Sequence, residues 1–472
     1  MSRQTDRARH SGDTGSDLVV ANGTVVTSAG VAPLDVHIHD GRIVAVGAGP
    51  ASSGARVIDA SGLLVLPGMV DTHVHLMDPG ATEREDFPTG TAAAAARGVT
   101  TIIEHTHAQP VRTADDLHAK RRYLHGRSHV DYGLAAHVWP DHLDHLRALW
   151  QAGVVFFKIF TCTTHGVPGL QTADLRDALS VLSEIDGRAL VHCEDENLTM
   201  RDEQRLRDSG RTDSAIVSEW RSREAELLAV ATVAEVARHT GACVTIAHVS
   251  SPEVVDRIAE ARRRGANVAA EACPQYFLLR EQELLTEHAF RKFTPPARAR
   301  TDADEDAMWA LLRTGALSHV SSDHAPATTD QKTAGTIWDV HFGLPGLDTT
   351  LPLLLDAALR DRISLVDLVR VYAETPARHY GLHPRKGRIA PGADGDLVLV
   401  DPGGRTMLSD EGVLSKAGWT PYAGRRVRGA HVATVLRGRV IAEHATPTRG
   451  FDGRFIAGPG ASREVPQGGD RE

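Results

Sequence analysis

Cysteine is nearly absent. Cys162, Cys193, Cys243 and Cys273 are the only four in 472 residues, and none forms a CxxC pair. That excludes a disulfide framework and a structural zinc knuckle, and it points to reduced thiols in the cytoplasm. All four fall near apolar strand ends and read as small buried side chains. No apolar run is long enough to span a bilayer, so no membrane partner is expected. Basic charge is not in excess: 52 Lys and Arg stand against 61 Asp and Glu, a net −9, which argues against nucleic acid as a partner. No glycine-rich dinucleotide loop follows the first strand of the central region, which disfavours a doubly wound nucleotide-binding sheet. Residues 1–16 lack the apolar core of a signal sequence and read as a disordered arm. Residues 449–472 read as a polar tail.

What remains is an ordinary globular composition, 42% hydrophobic and 24% charged, at a length that suits a large barrel plus a small second domain. Residues 17–68 alternate apolar and polar positions around Asn22-Gly23 and Asp40-Gly41, a hairpin signature. The same style returns over residues 386–448. Two β segments at opposite ends of a chain are expected to join into one small β domain. Between them, over residues 69–385, eight short apolar runs (70–76, 100–105, 132–138, 154–160, 189–193, 243–249, 267–272 and 319–322) alternate with amphipathic helical stretches. That alternation predicts a (β/α)8 barrel within an α/β fold.

The run Val70-Asp71-Thr72-His73-Val74-His75-Leu76 carries the first chemical signal. Strand side chains alternate, so His73 and His75 share a face and could start a metal site. His37/His39 and His105/His107 repeat the spacing, so the pair means little alone. The other strand ends give it weight. In a barrel the C-terminal strand ends converge, and here they offer His192, His248 and Asp323. Lys158 stands inside the apolar run 154–160, where desolvation disfavours an ammonium. A neutral lysine can add carbon dioxide, and the resulting carbamate could bridge two metal ions.

Further stretches complete a pattern: Leu66-Pro67-Gly68-Met69 before the first strand, Glu271-Ala272-Cys273-Pro274-Gln275-Tyr276, Thr294-Pro295-Pro296-Ala297-Arg298, Ser322-Asp323-His324-Ala325-Pro326 and Gly387-Arg388-Ile389-Ala390-Pro391-Gly392. Together these residues resemble the cyclic amidohydrolases: allantoinases, hydantoinases or dihydropyrimidinases, and dihydroorotases. The resemblance implies a TIM barrel with a β-sandwich domain, and a pair of divalent ions, usually zinc. His73, His75 and Asp323 would hold one ion and His192 and His248 the other, with carboxylated Lys158 between them. It also implies Asp323 as the proton carrier, a homotetramer or homodimer, and hydrolysis of the endocyclic amide of a small cyclic ureide, allantoin- or hydantoin-like.

The substrate contacts implied are Met77, His107, Thr163, Tyr276, Pro295 and His324. Met77 stands where dihydroorotases carry an arginine, and His107 where they carry an asparagine. No tyrosine lies in 161–166, where hydantoinases place one. The Asp-Met-Pro of allantoinases is missing after the second strand, although 78–87 resembles that group. His105, His107 and His165 are open between a substrate-selecting role and solvent-facing loops. A dihydroorotase-like enzyme, a cyclic-imide hydrolase and a non-catalytic dihydropyrimidinase-related scaffold are the alternatives.

Overall fold

The structure is a computed structural model that describes residues 17–49 and 54–461. The arm read at 1–16, and residues 462–472 of the tail, lie outside the described residues.

The barrel strands, in chain order, are β1 (Met69–Val74), β2 (Val99–Glu104), β3 (Asp131–Leu134 continuing as Ala136–His137), β4 (Phe157–Phe160), β5 (Arg188–His192), β6 (Cys243–Ile246), β7 (Val268–Ala272) and β8 (His319–Val320). Neighbours pair in parallel from β1 to β3 and again from the second part of β3 to β8. The break at Ala135 is spanned by backbone bonds: Ala135 N–H donates to Glu104, and Ala136 N–H donates to Phe156. The ring closes where Val74 bridges His324 and the His75 amide donates to the His324 carbonyl at 2.8 Å. β1 to β4 are buried along their whole length, as expected of parallel strands covered on both faces.

The helices begin and end where local chemistry dictates. Helix Arg223–Thr240 is capped by the Ser222 side chain, which accepts the Ala225 amide, and it carries Glu224 and Glu226 in its first turn. It stops at Gly241, whose φ of +74° suits glycine, and the chain drops into β6.

The terminal segments join in one sheet of nine strands. Leu64–Pro67 is the seam: it runs parallel to Leu18–Thr27 and antiparallel to Leu397–Met407. Val20, Val36, Ile38 and Ile43 share a core with Leu397, Leu399 and Val435, so the sheet folds over on itself into two layers. Asp40-Gly41 makes a tight turn with both φ values positive, as its sequence suggests. Asn22-Gly23 does not. Leu18–Thr27 is a single strand, and the pair forms a bulge within it, with Asn22 at φ +62°. The reason lies in its partners: the Asn22 amide donates to Asp35, and its side chain donates to Asp59. A Cβ at Gly23 would also fall 2.5 Å from Val65.

The described part of the C-terminal tail is packed against the barrel, contrary to the sequence reading. Ile456 is buried, and its amide donates to the Tyr132 carbonyl at 2.7 Å. Glycine is what lets the backbone approach: a Cβ at Gly453 would meet the Val130 carbonyl at 1.9 Å.

A buried ion cluster ties the β domain to the barrel. Lys386 Nζ lies 2.6 Å from Asp131 of β3, 2.6 Å from Asp396 and 3.0 Å from Asp394, and Arg437 pairs with Asp131 from the other side. Burial pushes the Asp131 carboxyl up, but Lys386 and Arg437 outweigh it and hold it below its usual value. Removing Lys386 would leave three buried carboxylates without their shared cation. Lys386→Ala is therefore expected to cost about 3–5 kcal/mol, read as a lowered midpoint in chemical denaturation. An unchanged midpoint would mean that the cluster contributes nothing to stability.

Candidate active site

The two histidines of β1 reach the site with one ring nitrogen already committed. His73 Nδ1 donates to Glu271 at the end of β7, at 2.6 Å, and His75 Nδ1 donates to the His105 carbonyl after β2, at 2.8 Å. That fixes both tautomers and leaves both Nε2 atoms free to act as donors to a metal ion. Both point at Asp323, just past β8: its Oδ1 lies 3.2 Å from His73 Nε2 and 3.5 Å from His75 Nε2. Lys158 enters from β4, with Nζ 3.4 Å from His73 Nε2. Burial brings its pKa down to about 8, against the pull of Asp323 and Glu271.

His192 ends β5 and His248 follows β6. Their facing nitrogens, His192 Nδ1 and His248 Nε2, are 2.9 Å apart. His192 Nε2 donates to Glu194 at 2.7 Å. Burial would raise Glu194, but Arg221 at 3.1 Å, then His192 and Thr294, bring it down to about 2. His248 and Asp323 both take positive φ, +37° and +50°, an uncommon conformation for such residues that clusters at functional sites. His75 is held near 4 by burial, and burial with the neighbouring His192 puts His248 well below its ordinary value. These imidazoles are neutral at physiological pH, with lone pairs available.

A narrow cleft lies above these groups. Phe160, Phe293 and Phe342 give it apolar walls; His107, His165 and Thr294 add polar ones. Behind His75 lies a second group of imidazoles: His105 and His107 have ring centroids 4.3 and 4.1 Å from His75, and His165 stacks on His107 at 4.5 Å. Burial holds His105, His107, His137 and His165 well below the usual histidine pKa.

The structure brings together all six residues singled out as metal ligands, His73, His75, Lys158, His192, His248 and Asp323. The six expected substrate contacts fare differently. His107 lines the cleft. Met77 is buried at φ +56°, with its sulfur accepting from Thr106. Thr163 turns away, its amide and hydroxyl both donating to Glu196. The Tyr276 hydroxyl donates to the Pro295 carbonyl, which places both one layer behind Thr294. His324 takes the opposite side from Asp323: its Nδ1 accepts the amides of Gly346 and Leu347, and its Nε2 faces Glu85 at 3.4 Å. The chain turns at Asp323, with φ +50°, and His324 pairs with Val74 and Leu344 in the barrel wall.

Sequence reasoning passed over Phe160, Phe293, Phe342 and His137, which carry no motif. Glu194 and Glu271, which hold His192 and His73, also went without a role. An acid at the end of an apolar strand was the available signal for both.

A model of the amidohydrolase family matches residues 64–441. The chain belongs to the amidohydrolase family. Among curated relatives of this amidohydrolase, the allantoinase of Solibacter usitatus is 37% identical over 448 residues, covering 93% of this chain and 97% of that one. The allantoinase of Rubrobacter xylanophilus is 34% identical over 447 residues, with 93% and 97% covered. Among solved structures, the L-hydantoinase (dihydropyrimidinase) from Arthrobacter aurescens superposes with a TM-score of 0.89 at 29% identity, covering 94% of this chain and all of that one. The dihydropyrimidinase from Brevibacillus agri NCHU1002 gives 0.88 at 29%, covering 94% and 99%. The amidohydrolase is thus an enzyme of the cyclic amidohydrolase group, a hydrolase of C–N bonds in ring amides.

Since Thr163 faces Glu196 rather than the cleft, Thr163→Ala is expected to keep kcat and KM for the ring substrate within about twofold. A tenfold rise in KM, measured under the same conditions, would return Thr163 to the substrate site.

Proposed function

We propose that this amidohydrolase opens the endocyclic amide of allantoin, a hydantoin ring with a ureido arm, or of a closely similar ureide, using two divalent ions, zinc by preference. His73, His75 and Asp323 would hold one ion and His192 and His248 the other, with carboxylated Lys158 shared between them. The observation that carries the reading is the spacing of the donors. Two ligands about 2.0–2.1 Å from one ion at the tetrahedral angle stand about 3.3 Å apart. Asp323 Oδ1 stands 3.2 and 3.5 Å from the donors of His73 and His75, and the facing nitrogens of His192 and His248 are 2.9 Å apart. Imidazoles whose other nitrogen is held by a carboxylate or carbonyl are the usual companions of such ions. The curated allantoinases named above support the choice of ring.

When bound, the ion pair supplies Lewis acidity and a water-derived nucleophile at neutral pH. The protein's own groups do the rest. Burial pushes the Asp323 carboxyl up, but His73 and His75 outweigh it and keep it below its ordinary value, so it is ionised and can take the proton of the attacking water. It then delivers that proton to the ring nitrogen as the C–N bond breaks. Lys158, lowered to about 8, offers far more neutral amine at neutral pH than a free lysine does, and that fraction can add carbon dioxide: an N–C bond forms, one proton leaves, and a carboxylate results. Phe160 and Phe342 exclude bulk water from the ring. With this reading go a cytoplasmic location and a homotetramer or homodimer, which sedimentation would check.

The test is hydrolysis of allantoin, hydantoin, dihydrouracil, dihydroorotate and a simple cyclic imide by zinc-loaded protein expressed with bicarbonate. Allantoin turnover is expected to exceed the others. Asp323→Asn is expected to lose about 10²–10⁴ in kcat, and its full activity would remove Asp323 from proton transfer. Lys158→Arg keeps the charge and forfeits the neutral amine, so its metal content, measured by plasma mass spectrometry, is expected to fall. Preferred turnover of another ring would overturn the allantoin assignment, and no turnover with no bound metal would restore the scaffold reading.

A further inference from the structure

His105 follows β2, His107 stands two residues on, and His137 ends β3. Their candidate ligand nitrogens all lie within 4.8 Å of one another. Among the described residues, both ring nitrogens of His105, both of His137 and Nε2 of His107 are buried without a hydrogen bond. His105 and His137 are each only 1% exposed. A neutral imidazole has one N–H and one lone pair to satisfy, and each buried polar group left unpaired costs about 1–3 kcal/mol. The surrounding walls offer little relief: Phe156 lies edge-on to His105 at 5.4 Å, and Phe160 stacks on His137 at 6.1 Å.

We propose that His105, His107 and His137 form a third metal site, distinct from the ion pair, that takes one divalent transition ion of the zinc class. Such an ion accepts one lone pair from each ring at once, and imidazole nitrogen is a donor that zinc, cobalt, nickel and copper all take. The site is separate because the neighbouring rings are already committed. The His105 donor also lies within 4.8 Å of those of His73 and His75. However, His73 spends Nδ1 on Glu271 and His75 spends Nδ1 on the His105 carbonyl, while both Nε2 atoms face Asp323. Neither has a nitrogen left to share, so His105 falls to the other group.

The fit requires a small adjustment. Ring centroids in the trio are 5.5 to 6.5 Å apart, against 4.7 Å for His192 and His248. Donors that share an ion stand about 3.3 Å apart, so each ring moves in by about 1 Å or less, within reach of side-chain rotation. Three protein ligands leave a fourth position open. Because His107 lines the cleft, the ion's charge would stand at the wall of the substrate site.

The experiment counts ions per chain by plasma mass spectrometry, on the full chain loaded with zinc and then desalted. Three ions are expected in the wild type, two in His137→Asn and two in His107→Gln. The second variant stands in if the buried asparagine does not fold. In Lys158→Met the remaining ion is expected to be the one that His137→Asn removes. Cobalt substitution gives a second readout: the visible absorption of the wild type should lose one component in each histidine variant. Two ions in the wild type, untouched by either histidine substitution and lost with Lys158→Met, would overturn the third site and leave the proposed ion pair standing.

Discussion

Where the eighth barrel strand returns to the first, the Asp71 carboxylate accepts the Ser322 amide on both oxygens at 3.1 Å and the Tyr372 hydroxyl at 2.7 Å, while Thr72 and Ser321 share a hydroxyl bond. This buried knot holds residues about 250 positions apart in register. Immediately after it on each side stand His73 and Asp323, and the whole arrangement of donors depends on that alignment. Without closure the barrel would still present His192 beside His248, but the β1 histidines would have no carboxylate to face. The positive φ at Asp323 is backbone strain of about 1–3 kcal/mol, tolerable only because the knot over-determines the position.

The electrostatics of the cleft follow from the same closeness. Glu194 is balanced by Arg221, whereas Glu271 and Asp323 face imidazoles. A carbamate on Lys158 would add one more negative charge to an already anionic centre. Such a centre, walled by phenylalanines, is good for a dication, and on the proposed function it orders the chemistry: cations first, then a neutral ring. A neutral ureide suits that order better than a carboxylate-bearing ring does. The absence of an arginine at Met77 points the same way.

Much of this was legible in the sequence because it was written in periodicity. Each of the eight apolar runs became a barrel strand, and strand alternation correctly placed His73 and His75 on one face. Lys158 announced itself by being charged within an apolar run. What was not legible depended on partners remote in the chain. Asn22-Gly23 carries a hairpin's composition, but Asp35 and Asp59 hold it as a bulge. The glycines near the C-terminus look like slack and serve close packing. His324, next to Asp323, faces the Gly346 amide instead of the cleft, and no local rule records that.

The seam of the small domain has a bearing on how the protein is made. Val65 pairs with Leu399, so an early strand waits for a partner that leaves the ribosome about 330 residues later. At roughly 5–20 residues per second, that wait is on the order of 20–70 s. Throughout it, Leu64–Pro67 lacks its antiparallel neighbour, and an unpaired apolar edge is a template for pairing with the wrong chain. The nascent polypeptide therefore passes through a period of exposure fixed by topology rather than by stability.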